Sequence, residues 1–188
     1  MQEEQSSLHY AFIFNPRAGR YRRVELMRRI GQIFSGGSHG HTAEVFLTDR
    51  SGHASELAAD LARLHRGRLV AVACGGDGTA NEVANGIAGT QAAMTILPIG
   101  TANDFARAAL SDNIPSRLLD KIIRPSIRPI DVIRVDERIC LNIASLGFDT
   151  KVQMITMAIN ARFRWLGSFT YPLAILLSLL GDREYTMH

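Results

Sequence analysis

Short apolar runs alternate with amphipathic stretches along the first two thirds of the chain. Tyr10 to Phe14, Ala43 to Leu47, Leu69 to Ala73 and Ala93 to Leu97 have the length and texture of buried strands. Between them, Val24, Met27, Ile30 and Phe34 recur at helical spacing within Arg22 to Phe34, and Ala54 to Leu64, Asn81 to Ile87 and Asp104 to Leu110 also read as helices. Strands and helices alternating at these intervals predict an α/β fold, a doubly wound, mostly parallel sheet covered on both faces. Gly36-Gly37-Ser38 and Ser111-Asp112-Asn113 are expected loops.

Pro115, Pro125 and Pro129 mark a change of texture. Alternating Ile130, Val132, Ile133 and Val135, then Asp136-Glu137, then Ile139 to Ile143, predict an antiparallel hairpin. Residues 1–9 form a polar tail, 10–124 an α/β domain, and 125–188 the start of a β-rich second domain that reads as truncated. Within that second part, Lys151 to Arg164 and Tyr171 to Leu180 are expected helices, the latter with Pro172 near its first turn.

Composition narrows the class. With 46% hydrophobic and 21% charged residues, 188 residues suffice for a full core. The basic residues are almost wholly arginine, Lys121 and Lys151 being the lysines, and the net charge of +3 suits an anionic membrane surface or a nucleotide. Cys74 and Cys140 lack metal-ligand spacing and fit a reducing compartment. The polar start has no apolar leader core, so secretion is not expected, and the uncharged run Trp165 to Gly181 is shorter than the roughly 20 residues of a spanning helix.

The chemistry concentrates after Leu69 to Ala73. Cys74-Gly75-Gly76-Asp77-Gly78-Thr79-Ala80-Asn81-Glu82 places a glycine loop between a strand and a helix, where backbone N–H groups and the helix start favour phosphate. Asp77 is the informative residue, because a carboxylate beside a polyphosphate is repulsive unless a divalent cation lies between them. A nucleotide with magnesium is the economical reading. The grammar recurs in Pro98-Ile99-Gly100-Thr101-Ala102-Asn103-Asp104, so Gly-Thr-Ala-Asn-acid occurs twice. Each copy has the Thr-x-x-acid form of a helix cap, with the threonine expected as the capping hydroxyl.

Three ordered segments carry a resemblance: Phe12-Ile13-Phe14-Asn15-Pro16-Arg17-Ala18-Gly19, Gly75 to Val83, and Pro98 to Arg107. Together they resemble the diacylglycerol kinase catalytic domain family, in particular its bacterial lipid kinases. Asn142-Ile143-Ala144-Ser145-Leu146-Gly147-Phe148-Asp149 is similar to the motif that opens that family's second domain. The resemblance implies an ATP- and magnesium-dependent kinase that phosphorylates a lipid hydroxyl such as that of diacylglycerol. It implies that Asn15, Pro16, Arg17, Ala18 and Gly19 form a first loop around ATP, that Thr48 adds a hydroxyl, that Gly75, Gly76, Asp77, Gly78, Thr79, Ala80 and Asn81 cradle the phosphates, and that Thr101 contributes from the second loop. Asp77 is then the magnesium residue and Asp104 a supporting acid, while the family's proton acceptor has no counterpart in the chain. A cytoplasmic protein in transient contact with a membrane, with no nucleic-acid partner, follows, and self-association is expected if the chain is complete. NAD kinase shares the Gly-Gly-Asp-Gly loop and is the second enzyme reading. A nucleotide-binding fragment without catalysis is the third.

Overall fold

The computed structural model describes residues 7–36, 40–110, 114–144, 147–163 and 169–180. Most of the polar tail, the Gly37-Ser38 and Ser111-Asp112-Asn113 loops, Ser145-Leu146, and the ends of the uncharged run at Trp165 and Gly181 lie outside the described residues. Two compact units divide the chain, residues 1–142 and 143–188. The expected boundary near residue 125 falls inside the first unit, which includes the hairpin.

In the first unit, β1 (His9–Phe14), β2 (Thr42–Leu47), β3 (Leu69–Gly75) and β4 (Ala93–Pro98) form a parallel sheet in the order β2-β1-β3-β4. Phe12 lies opposite Val45 on one side and Val72 on the other, which makes β1 and β3 the central strands. Both are buried at every residue, which is why they read as uninterrupted apolar runs. β2 is an edge and largely exposed.

Side-chain alternation sorts the core into two layers. Tyr10, Phe12, Phe14, Val70, Val72 and Cys74 pack against α1 (Arg20–Ser35) and α5 (Pro115–Ile122). Ala11, Ile13, Ala71 and Ala73 face α2 (His53–His65), α3 (Asp77–Ile87) and α4 (Asp104–Ala109). The second layer is built from small residues because α2 and α3 approach closely: a Cβ on Gly86 would collide with the Ser55 carbonyl and come within 2.8 Å of Ala58 Cβ. On the first face, the Tyr10 hydroxyl donates to the Ile122 carbonyl at 2.7 Å and so ties α5 to the central strand. Burial pushes the Tyr10 phenol up to about 12.

Three expectations need correction. α3 starts at Asp77 rather than Asn81, so the second half of the glycine loop is helix. Residues 115–122 form α5, with Pro115 at its start and Leu118, Leu119 and Ile122 buried, where only a change of texture was expected. Neither Thr-x-x-acid copy caps its own helix: the N-cap residues are Gly76 and Asn103, and neither makes a side-chain capping bond. The hairpin exists, but its paired strands β5 (Ile133–Val135) and β6 (Arg138–Cys140) are short.

The second unit contains α6 (Phe148–Arg162) and α7 (Thr170–Leu180), which pack on each other. Thr170, Ala174 and Ser178, one turn apart in sequence, are the buried positions of α7, while Tyr171, Leu176, Leu177 and Leu179 are exposed. No helix among the described residues is long and apolar enough to cross a membrane.

Candidate functional site

The strand order reverses direction between β1 and β3, and ligands of open α/β sheets bind outside the carboxyl ends of strands at such a point. Asn15 follows β1 there, Thr48 follows β2, and Gly76 follows β3. Sheet-like bonding continues past the strand ends: Asn15 N–H donates to the Cys74 carbonyl at 3.0 Å and Thr48 N–H to the Phe14 carbonyl at 2.9 Å. These bonds hold the first, second and third crossover loops side by side.

The loops also touch directly, and glycine is what permits it. Gly100 lies against Gly76, where a Cβ on Gly100 would sit 2.5 Å from Gly76 Cα. Gly19, at φ 53°, abuts Ile99, whose Cβ and carbonyl oxygen would each lie 2.8 Å from an added Cβ. A Cβ on Gly75 would strike the Thr79 side chain. Gly78 differs, because nothing lies within 4 Å of the position its Cβ would take. Gly19 and Gly100 are therefore accounted for by loop-on-loop packing and Gly75 by the Thr79 side chain, whereas Gly78 is the glycine of this loop that opens onto solvent.

Gly78 lines a notch of about 190 Å³ together with Asn15, Arg17, Thr48, Thr79 and Glu82. Pro16, Asp49, Arg50, Ser51 and Ala54 complete its wall. Asn15 organises the first loop as an Asx turn: its Oδ1 accepts from Arg17 N–H at 2.9 Å, and its amide reaches Thr79 Oγ1 at 3.4 Å. Arg17 is exposed and makes no ion pair among the described residues, which leaves its guanidinium free to meet an anion. Arg50 is held by Asp49 at 3.0 Å and Glu56 at 2.5 Å. Desolvation pushes the Asp49 carboxyl up, but the Arg50 hydrogen bond and the charges of His53 and Arg50 outweigh it and hold it below the usual carboxylate range.

Among the residues expected at the site, Asn15, Pro16, Arg17, Thr48, Gly78 and Thr79 converge on this notch. Ala80 is in the core, and Thr101 is exposed on the second loop. Asp104 pairs with Arg107 at 3.2 Å on the surface. Asn81 Oδ1 accepts from Leu141 N–H at 3.1 Å. Asp77 Oδ1 accepts from Phe105 N–H at 2.9 Å, which caps the start of α4, and lies 3.5 Å from the Asn142 amide. Its Oδ2 accepts no hydrogen bond from the described residues, and Asp77 is not among the residues that line the notch.

Sequence reasoning missed Arg50, Ser51 and Glu82 as notch residues. Glu82 Oε2 accepts from Ala54 N–H at 3.2 Å and its Oε1 lies 3.4 Å from Ser51 Oγ, so the acid of the first motif copy caps α2. The position of Asp49-Arg50-Ser51 at the carboxyl end of β2 was the signal that could have found the first two. Among the described residues no three histidine, cysteine or acidic side chains gather into a metal-ligand group.

Comparison with known proteins agrees with the geometry. The family profile "Diacylglycerol kinase catalytic domain" matches residues 9–135. A "Probable lipid kinase YegS-like" of Pseudomonas putida is 39% identical over 115 residues, 60% of this chain and 38% of that protein. A "Diacylglycerol kinase" of Staphylococcus aureus strain Newman is 34% identical over 148 residues, 77% of this chain and 45% of that one. The chain thus spans less than half the length of these curated relatives. A crystal structure of a diacylglycerol kinase from Bacillus anthracis str. Sterne superposes with a TM-score of 0.59 at 21% identity, over 72% of this chain and 49% of that one, and shares its fold. With the family profile covering most of the first unit, strand order, crossed loops and sequence lead to one assignment: the chain belongs to the diacylglycerol kinase catalytic domain family.

Proposed function

We propose that this chain carries the nucleotide-binding part of an ATP- and magnesium-dependent lipid kinase, which moves the γ-phosphoryl group to a lipid hydroxyl such as that of diacylglycerol. The observation that carries the reading is the notch at the β1/β3 reversal, where Gly78, the Arg17 guanidinium and the Thr79 and Thr48 residues meet. Phosphoryl transfer asks little covalent chemistry of a protein and much positioning and charge neutralisation. Arg17 supplies a cation, the first turn of α3 supplies unpaired N–H groups, and Asn15 holds the loop that presents Arg17. Asp77 Oδ2 suits magnesium, which takes one or two carboxylates and fills its shell with phosphate oxygens and water. Bound there, the ion would neutralise charge shared between the β- and γ-phosphates.

In the transfer the acceptor oxygen forms a bond to the γ-phosphorus, the bond to the ADP oxygen breaks, and the hydroxyl proton leaves to a base. The chain's own site residues serve the nucleotide side of that step. Peripheral membrane contact of a cytoplasmic protein belongs to the same proposal, supported by the outward apolar side chains of α7. Calorimetric titration with ATP and magnesium, followed by labelled-phosphate transfer to mixed lipid micelles and to NAD, tests it. Binding with transfer to lipid supports the kinase, transfer to NAD supports the NAD kinase reading instead, and binding without transfer leaves a nucleotide-binding fragment. Absence of binding overturns the nucleotide reading.

A further inference from the structure

One polar stripe on α3 is not used by the notch. Asp77, Asn81 and Asn85 follow one another at four-residue intervals and so lie along one face of the helix. All three point at β6 and the two residues after it. Asn85 makes a two-way bond with Ile139: its Oδ1 accepts from Ile139 N–H at 2.9 Å and its Nδ2 donates to the Ile139 carbonyl at 2.8 Å. The second Nδ2 proton has the Asn81 carbonyl at 2.8 Å. Asn81 Oδ1 accepts from Leu141 N–H, and Asp77 Oδ1 lies within 3.5 Å of the Asn142 amide.

The match is a matter of repeat lengths. Four residues of helix advance about 6 Å, and two residues of strand about 6.6 Å. Asn85 with Ile139, and Asn81 with Leu141, thus set the strand antiparallel to α3, running toward the helix's N-terminal end. Asparagine side chains take the place of a neighbouring strand, and they fix the register as a ladder would. A slip of one residue would turn the Ile139 and Leu141 backbone groups away from both amides.

We propose that Asn81 and Asn85 are positioning residues: they register residues 139–142 against α3 so that Asn142 is delivered beside Asp77, at the end of the helix that meets the ligand. Asn142 thereby becomes a site residue, its amide on the Asp77 oxygen that also caps α4. The inference rests on the nucleotide reading for its ligand, but the registering can be measured without one.

Amide hydrogen exchange of the whole chain, with and without magnesium-ATP, is the test. In the ligand-free protein Ile139 and Leu141 N–H should exchange slowly, and Asn85→Ala should speed both at least tenfold. The same chemical change separates the two asparagines. Asn81→Asp keeps the acceptor that Leu141 needs and should keep that amide slow, whereas Asn85→Asp turns an oxygen toward the Ile139 carbonyl and should free Ile139. Magnesium-ATP should slow Ile139 and Leu141 a further threefold or more in the wild type and not in Asn85→Ala. Unchanged exchange in Asn85→Ala, or ATP binding by calorimetry that leaves both amides unaffected in the wild type, would overturn the proposal. If calorimetry shows no ATP binding, the nucleotide reading falls, and the ligand-free comparison of Asn81→Asp with Asn85→Asp still decides the registering. Global unfolding of Asn85→Ala is recognised by accelerated exchange at Val72, in which case Asn85→Asp supplies the comparison.

Discussion

The start of α3 and the start of α4 share the sequence Gly-Thr-Ala-Asn-acid and use it in different ways. In the first, the helix is already under way at Asp77, so Thr79 is buried within the first turn, Asn81 reaches β6's exit and Glu82 caps α2. In the second, the helix begins only after Asn103, which adopts φ 56° and bonds Gly100 through both ends of its amide, while Thr101 and Asp104 face solvent. Both acids at the first helix start cap other helices, Asp77 that of α4 and Glu82 that of α2, whereas Asp104 only pairs with Arg107 on the surface. A motif's chemistry is set by what its helix start abuts. The first abuts an open notch and two neighbouring helices; the second abuts the first.

The glycines give the largest expected contrast. Gly100→Ala should destabilise the fold by about 3 kcal/mol, because the new Cβ meets backbone rather than a movable side chain. Gly78→Ala should leave denaturant stability unchanged within about 1 kcal/mol and weaken ATP binding by roughly tenfold, or about 1.4 kcal/mol. Equal loss of stability in both variants would end the distinction between packing glycine and ligand-facing glycine.

Next in size are the aspartates. Asp77→Ala removes the α4 cap and should cost about 1 kcal/mol by urea unfolding, together with the magnesium dependence of ATP binding seen by calorimetry. Asp104→Ala removes an exposed pair with Arg107 and should cost less than about 0.5 kcal/mol with magnesium dependence intact. A control lies away from both helix starts. His9 stacks on His65 with ring centroids 3.7 Å apart, and burial, then the His65 charge, hold its pKa below 6.5 despite Glu44. The unfolded chain therefore binds the proton more readily, and stability should fall as pH drops below 6.5, until the lower folded value is passed. His9→Phe should flatten that slope without altering the contrast between the two helix starts. Thr101→Ala should have the smallest effect, with stability within about 0.5 kcal/mol of wild type.

Much of this was legible in the sequence, for physical reasons. The central strands β1 and β3 announce themselves because burial on both faces demands unbroken apolar runs. The notch was half legible: Asn15, Arg17, Gly78 and Thr79 sit in motifs, whereas Arg50 and Ser51 sit in a loop whose only signal is its place after β2. α5 carries a local signal too, since Pro115, Leu118, Leu119 and Ile122 follow helical spacing from a proline suited to a first turn. Glu82's bond to Ala54, across 28 residues, could not be read locally, because capping by a distant acid leaves no local pattern. The same holds for Asp77 and Phe105, and for Asn85 and Ile139.

The close approach at Gly86 has a consequence for kinetics. With the Ser55 carbonyl and Ala58 pressed against Gly86, and Glu82 bonded to the first turn of α2, the two helices behind the notch form one body. The α2 and α3 sides of the notch should therefore move together and not apart. Nucleotide should enter and leave without a gating step, with an observed association rate that rises linearly with concentration and shows no plateau.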